Sequence, residues 1–112
     1  MKYAVLIYSA EAGDTFESLP ESEQQSLMGE YMALSEQAIG GAQLQPGDTA
    51  TTVRVDNGST LTTDGPYAET KELLGGFYLI DVDDLDAALD FAARVPAARL
   101  GGLVEVWPLV ER

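Results

Sequence analysis

The pattern of apolar and polar positions predicts strands near both ends of the chain and one between them. The opening run Lys2 to Tyr8 is short, aromatic and β-branched, which is typical of a buried strand. Gly76 to Val82 has the same character and is expected to form a central strand. Leu103 to Val110 closes the pattern as a strand with apolar residues on both faces.

Helical spacing marks the segment that follows Ser18. Ser18 and Glu21 have the spacing of a capping box, and Gly40-Gly41 is a typical C-terminal stop. The expected buried face comprises Leu27, Tyr31, Leu34 and Ala38, with Met28 and Met32 beside it.

A second helix is predicted between the central and final strands. Asp83 or Asp84 is the expected N-cap, and Pro96 is the expected stop. Its apolar face is predicted to consist of Leu85, Leu89, Ala92 and Val95.

Between the first helix and the central strand, the sequence predicts a β-hairpin. Thr51 to Val55 and Ser59 to Thr63 flank Asp56-Asn57-Gly58. Asn-Gly is a strong hairpin signal because both residues accept a positive φ.

This order of elements predicts an α+β fold in one domain, residues 1–112, with a ferredoxin-like split βαβ arrangement. Two main helices would cover one face of an antiparallel sheet and leave the other face bare. The residues expected on that bare face are Tyr78, Ile80, Val104 and Val106. A second copy of the chain is the economical cover, so we expect a homodimer.

The charge balance narrows the choice of partners. Nineteen acidic and six scattered basic residues give a formal charge of −13, which disfavours direct contact with nucleic acid or anionic membrane. The chain has no cysteine and no histidine, so disulfides, thiolate chemistry and zinc-type metal sites are not expected. The sequence shows neither a leader peptide nor a membrane-length apolar run, and a cytoplasmic location is expected.

Ionisable side chains are concentrated between Asp64 and Glu72, where nine residues carry four charges. Asp64 has two interpretations: a turn residue that accepts backbone amides, or a general base. Lys71 either pairs with Glu69 or Glu72 on the surface or binds an anionic group of a ligand.

Other candidate site residues lie nearby in sequence or at the ends of elements. Tyr8 is either buried lining or a ligand contact, Tyr67 places a hydroxyl within the charged loop, and Arg99 either pairs with surface acids or holds a carboxylate. Gly75-Gly76 indicates a β-bulge or a close backbone approach. We expect no cofactor and no metal, since the acidic residues around Asp83 are typical of helix caps; they are Asp81, Asp83, Asp84 and Asp86.

Residues 64–72, Asp-Gly-Pro-Tyr-Ala-Glu-Thr-Lys-Glu, followed by Gly-Gly-Phe, resemble the signature of the DGPF branch of the YCII-related family. The likeness extends from the opening Met-Lys-Tyr strand to Val104-Glu105-Val106. It implies a dimeric α+β barrel. The chain departs from the family at Tyr67, where phenylalanine is usual, and at Trp107, where relatives often have arginine. It also lacks the histidine of the His-Asp pair suspected elsewhere in the family.

The leading hypothesis is a small enzyme or ligand binder for a small polar or anionic organic molecule at a pocket in the dimer. Asp64, Glu69 and Lys71 would do the chemistry. The expected ligand contacts are Tyr8, Tyr67, Glu72 and Arg99. The family resemblance suggests an alternative, a non-catalytic interaction module whose partner is an extracytoplasmic-function sigma factor. A third hypothesis is a structural dimer that has lost activity along with its histidine.

Overall fold

Alternating burial along β1 (Lys2–Tyr8) organises the structure. The computed structural model describes residues 1–9, 18–65 and 74–111. In β1, Tyr3, Val5 and Ile7 are buried, whereas the residues between them are partly exposed. This is the pattern of a strand covered on one face only. The predicted opening strand is therefore confirmed.

Four strands form the main sheet in the order β2–β5–β1–β6, and every neighbouring pair is antiparallel. β5 spans Leu74–Asp81 and β6 spans Leu103–Pro108, close to the predicted bounds. β2 (Gly40–Gln43) is a short edge strand that the sequence pattern did not indicate. Among the described residues, the helix at 21–37 lies between β1 and β2 and the helix at 85–93 lies between β5 and β6, which is the ferredoxin-like arrangement predicted from the sequence.

The first helix, α1 (Glu21–Gln37), buries Leu27 and Leu34 as predicted. Its start differs from the prediction. Pro20 occupies the N-cap and makes no side-chain cap hydrogen bond, so the prediction that Ser18 is the N-cap of a capping box is wrong. The physical reason is position: the helix begins at Glu21, which leaves Ser18 two residues before the N-cap.

The end of α1 also differs from the prediction, because the helix stops at Gln37 and Gly40-Gly41 begin β2 instead. The two glycines serve strand pairing. Gly41 has a φ of 145°, and a Cβ there would lie 2.5 Å from the carbonyl oxygen of Phe77. A side chain at position 41 would therefore push the edge strand away from β5.

The second helix, α2 (Leu85–Ala93), begins at the predicted cap. The carboxylate of Asp84 accepts a hydrogen bond of 2.9 Å from the backbone N–H of Ala87. A short 3-10 helix, Pro96–Ala98, follows and carries the chain towards β6.

The orientation of α2 confirms half of the predicted apolar face, since Ala92 and Val95 are buried, and corrects the other half. Leu85 and Leu89 are 48% and 47% exposed, whereas Ala88 and Phe91 are buried. The ring of Phe91 packs edge-on against Tyr78, with 5.5 Å between ring centroids and an interplanar angle of 84°. This aromatic contact turns the helix so that the two leucines lie at its margin.

The predicted hairpin is confirmed. β3 (Thr51–Asp56) and β4 (Ser59–Asp64) pair antiparallel across Asn57 and Gly58, whose φ values are 50° and 79°. Two consecutive positive φ values are typical of the type I′ turn that suits a two-residue hairpin loop. The hairpin forms a sheet of its own beside the four-stranded sheet.

The predicted bare face of the main sheet is wrong. Tyr78 and Ile80 are buried beneath the helices, and Val104 and Val106 pack against the same core. The hydroxyl of Tyr78 donates a hydrogen bond of 2.9 Å to the carbonyl of Tyr31 in α1. Alternate residues on the opposite side form a partly exposed surface that neither described helix covers, here called the open face. Its residues are Ala4, Leu6, Tyr8, Phe77, Leu79, Leu103, Glu105 and Trp107, and the charged pair Lys2 and Asp81 lies at its far end.

We predict that Gly41→Ala lowers the free energy of unfolding by about 2 kcal/mol or more, because both the backbone conformation and the contact with Phe77 oppose a Cβ. Denaturant unfolding measures the change. Gly29→Ala is the matched control: Gly29 lies inside α1 with nothing within 4 Å of an added Cβ, so stability should rise by about 0.5–1 kcal/mol. Equal effects of the two substitutions would contradict the pairing described for β2.

Candidate functional site

A hydrogen-bonded cluster lies on the open face, at the end of β1. The hydroxyl of Tyr8 donates to Glu105 Oε1 at 3.0 Å. The indole Nε1–H of Trp107 donates to the same oxygen at 3.2 Å. One carboxylate oxygen thus holds two side chains from neighbouring strands.

Strand register explains why these residues meet. In the β1–β6 pair, Glu105 lies opposite Leu6 and Tyr8 lies opposite Leu103. Alternate residues share a face, so Tyr8, Glu105 and Trp107 all project from the open side of the sheet. The neighbours of Glu105 along and across the strands are apolar, which makes it an isolated carboxylate on an apolar surface.

The cluster keeps Tyr8 protonated. Burial raises the pKa of the Tyr8 hydroxyl above its ordinary value of 10.0, and the hydrogen bond to Glu105 and the charge of Glu105 raise it further. Tyr8 is therefore a hydrogen-bond donor at neutral pH. Within the described residues, no donor contacts Glu105 Oε2, so this oxygen can accept a hydrogen bond or a proton from another molecule.

A β-bulge shapes the same corner of the sheet. Ile7 pairs with Gly76 and Tyr8 pairs with Leu74, so Gly75 is the extra residue of β5. A Cβ on Gly75 would lie 3.3 Å from Ser9 Oγ, which is a tight contact. This confirms the bulge predicted from Gly75-Gly76, and it places the start of β5 against Tyr8.

Asp64 is the exposed last residue of β4. The Gly65 N–H donates to Ala50 O at 2.6 Å, which extends the β3–β4 pairing by one residue, and Thr52 Oγ1 donates to Gly65 O at 2.8 Å. Among the described residues, no amide donates to the Asp64 carboxylate. The turn predicted at Asp-Gly-Pro continues into residues that lie outside the described ranges.

Arg99 lies on the helical side of the sheet, away from Tyr8. Its Nη2 contacts both carboxylate oxygens of Glu30 in α1, at 2.8 and 2.7 Å. Both side chains of this ion pair are about half exposed. This contact with Glu30 agrees with the interpretation in which Arg99 pairs with a surface acid.

The remaining predicted site residues, Tyr67, Glu69, Lys71 and Glu72, lie outside the described residues. The structure adds Glu105 and Trp107, which the sequence interpretation did not include among the site residues. The signal that points to Glu105 is a carboxylate flanked two residues away on each side by Leu103 and Trp107 in a strand of otherwise apolar residues. Only the register with β1 shows that Tyr8 joins it.

Within the part of the chain that the structure describes, no group of three or more acidic side chains is arranged to hold a metal ion. Neither described helix combines the length and the hydropathy that a membrane-spanning helix requires.

The fold and this cluster define an α+β protein with a ferredoxin-like sheet whose uncovered face carries hydrogen-bonding groups. The YCII-related domain family matches residues 1–111, and the chain belongs to that family. An uncharacterised protein of Rhizobium meliloti (strain 1021) is 41% identical over 116 residues, covering 97% of this chain and 92% of that protein.

A search of solved structures finds 5-chloro-2-hydroxyhydroquinone dehydrochlorinase from Burkholderia phenoliruptrix AC1100, in complex with 2,5-dihydroxybenzoquinone. The two chains are 13% identical with a TM-score of 0.48, over 96% of this chain and 94% of the other. A likeness this low says nothing about what the present chain binds.

We predict that Glu105→Gln lowers the pKa of Tyr8 towards its ordinary value, because the substitution removes the negative charge that opposes ionisation of the phenol. NMR titration with ring-labelled tyrosine, assigned by Tyr8→Phe, measures the shift. Tyr31 is the internal control, since burial is the main cause of its raised pKa and its hydroxyl lies near Ala97 on the helical side. An unchanged titration of Tyr8 would contradict the contact.

The sign of the accompanying pH effect on stability follows from the raised pKa. The folded chain binds the Tyr8 proton more tightly than the unfolded chain, so this contribution to stability is complete below about pH 10. It is lost as the pH rises through the raised pKa of Tyr8.

Proposed function

We propose that this YCII-related protein binds a small organic molecule on the open face of its sheet, within a homodimer, and acts on it by proton transfer. The observation that carries the proposal is the hydrogen-bonded cluster of Tyr8, Glu105 and Trp107 on an otherwise apolar surface. Ligand sites commonly combine apolar walls with a few convergent polar groups.

Glu105 is the proposed general base. Its Oε1 is held by two neutral donors, and its Oε2 is directed at no donor among the described residues, so the carboxylate is oriented and still able to accept a proton. Tyr8 and Trp107 position the carboxylate. This arrangement supplies a proton acceptor to a chain that contains no histidine.

The charged loop, residues 64–72, is proposed to supply a positive charge that complements the negative charge of Glu105. Lys71 stands three residues before Leu74 in the sequence, and Leu74 pairs with Tyr8 in the sheet. A lysine near this corner would bind an anionic group of the ligand, while Glu105 would accept a hydrogen bond from another part of the same molecule. Asp64 and Glu69 are proposed to act beside Lys71. Tyr67 and Glu72 are proposed as further contacts.

A second copy of the chain is proposed to cover the open face. Leu103 and Trp107 are 55% and 56% exposed, and they adjoin the partly exposed Leu6 and Phe77. Covering this surface stabilises the protein by removing apolar area from water. Glu105 Oε2 has no donor among the described residues, and such a carboxylate is costly to bury in a dry interface, which favours a cavity that holds water or ligand at Glu105.

A second candidate function is a non-catalytic interaction module, with an extracytoplasmic-function sigma factor as its partner. It is favoured by the acidic, methionine-bearing outer surface of α1, where Met28 and Met32 are 51% and 65% exposed near Glu21 and Glu36. Stoichiometric capture of the sigma factor that is blocked by Met32→Glu, in a protein that binds no small molecule, would favour this alternative.

We predict that Lys71→Met weakens ligand binding by at least about tenfold, equivalent to about 1.4 kcal/mol, with little change in melting temperature. The probe is a library of small organic acids, and the readout is the fluorescence of Trp107, the chain's one tryptophan. Lys2→Met is the matched control, because it removes the same charge at the far end of β1.

The Lys71 proposal makes two results informative. Loss of binding with Lys71→Met but not with Lys2→Met supports it. Unchanged binding by Lys71→Met would contradict the role of the loop, since an exposed salt bridge alone contributes at most about 1 kcal/mol to stability. If no acid in the library alters Trp107 fluorescence, the ligand-binding function itself is contradicted.

A further inference from the structure

The β3–β4 hairpin stands apart from the core. It forms its own two-stranded sheet, and among its described side chains none is fully buried. The radius of gyration is 15.8 Å, whereas a compact chain of this length is expected near 13 Å. A two-stranded hairpin is at best marginally stable alone in water. One of its faces therefore needs a covering surface.

The two faces of the hairpin differ in chemistry. The face here called the β-branched face comprises Thr51, Val53, Val55, Thr60 and Thr62, with Asp64 at its base. Val53 and Val55 are 59% and 69% exposed. The opposite face mixes charged and polar residues with one leucine; it comprises Thr52, Arg54, Asp56, Ser59, Leu61 and Thr63.

Charge selects the occupant of the β-branched face. The protein has a net charge of −13, so two copies repel each other wherever their acidic surfaces meet. From its tip to Val53 this face carries no charge, and its one carboxylate, Asp64, lies at the base opposite Thr51, in a chain in which 22% of residues are charged. A basic partner would be attracted to the acidic surfaces instead. A β-branched surface whose one charge lies at its base suits contact with a second, equally acidic copy.

Interface area points the same way. A stable dimer buries roughly 800 Å² on each partner. From strand spacing and rise, the open face of the four-stranded sheet measures roughly 400 Å² in projection, and one face of the hairpin adds about 200 Å². The sheet face by itself is small for a stable interface, and the hairpin extends it by about half.

We infer that the β3–β4 hairpin is an intersubunit arm whose β-branched face packs on a second copy of the chain. The inference rests on the proposed homodimer and goes beyond it by assigning the contact to one element and one face. Because two-fold symmetry repeats every contact, the arm of each subunit would pack on the other subunit. The arm would order on assembly, since its apolar side chains have no other cover among the described residues.

The test compares Val55→Glu with Leu61→Glu. Both substitutions place the same charge on an exposed apolar position of the same hairpin, but on opposite faces. Sedimentation of wild type and Leu61→Glu at micromolar concentration should give a dimer of roughly twice 12.0 kDa. Val55→Glu should raise the dissociation constant at least about tenfold, because a carboxylate buried in an apolar interface is destabilising. Equal dissociation constants for the two variants would overturn the arm.

Hydrogen exchange on wild type separates arm packing from simple folding of the hairpin. Backbone amides of Thr51–Asp56 should be protected above the dimer dissociation constant and should exchange freely below it. Protection that persists in the monomer would contradict the inference that the hairpin is an intersubunit arm, without contradicting the proposed dimer. A wild-type monomer at all concentrations would overturn the proposed dimer as well.

Discussion

The pairing of β1 with β5 is the constraint on which the rest of the structure depends. Tyr3 faces Ile80 and Val5 faces Tyr78 across the two central strands, and both helices cover this side. Because side chains alternate along a strand, the same register places Leu6 opposite Phe77 on the other side. A shift by one residue would exchange the two faces completely. Burial of one side therefore determines which residues are left for binding and assembly.

The open face has both of the properties that the proposed function requires. Its apolar side chains favour association, and the one carboxylate among its central residues is already held by two donors. A subunit that covered this face would exclude water and strengthen the hydrogen bonds at Glu105. The charge of Glu105 would in turn keep that corner of the interface from becoming fully dry. Because the sequence contains no histidine, the proposed proton transfer would need a carboxylate, and the strand register places Glu105 beside Tyr8 and Trp107.

Local sequence signals predicted the hairpin turn and the cap of α2, although they misplaced both ends of α1. Asn57-Gly58 determines the hairpin turn, and Asp84 caps α2, because each depends on neighbouring residues alone. Tertiary contacts decided the features that were missed. Both sides of β5 are apolar, so composition could not identify the buried face, and the contacts of Tyr78 with Phe91 and Tyr31 resolved it. The edge strand β2 exists because Gly41 allows close approach to Phe77, and the site residue Glu105 becomes visible only through the β1–β6 register.

The most direct test of the account is collisional quenching of Trp107 fluorescence as a function of protein concentration. Trp107 is the single tryptophan, it lies on the open face, and it is 56% exposed in one chain. If a second copy covers that face, a neutral quencher such as acrylamide will reach Trp107 in dilute monomer and be excluded at high concentration, where the emission will also shift to shorter wavelength. Quenching that is equally efficient at all concentrations, in protein that is assembled by an independent measure, would contradict the assignment of the open face.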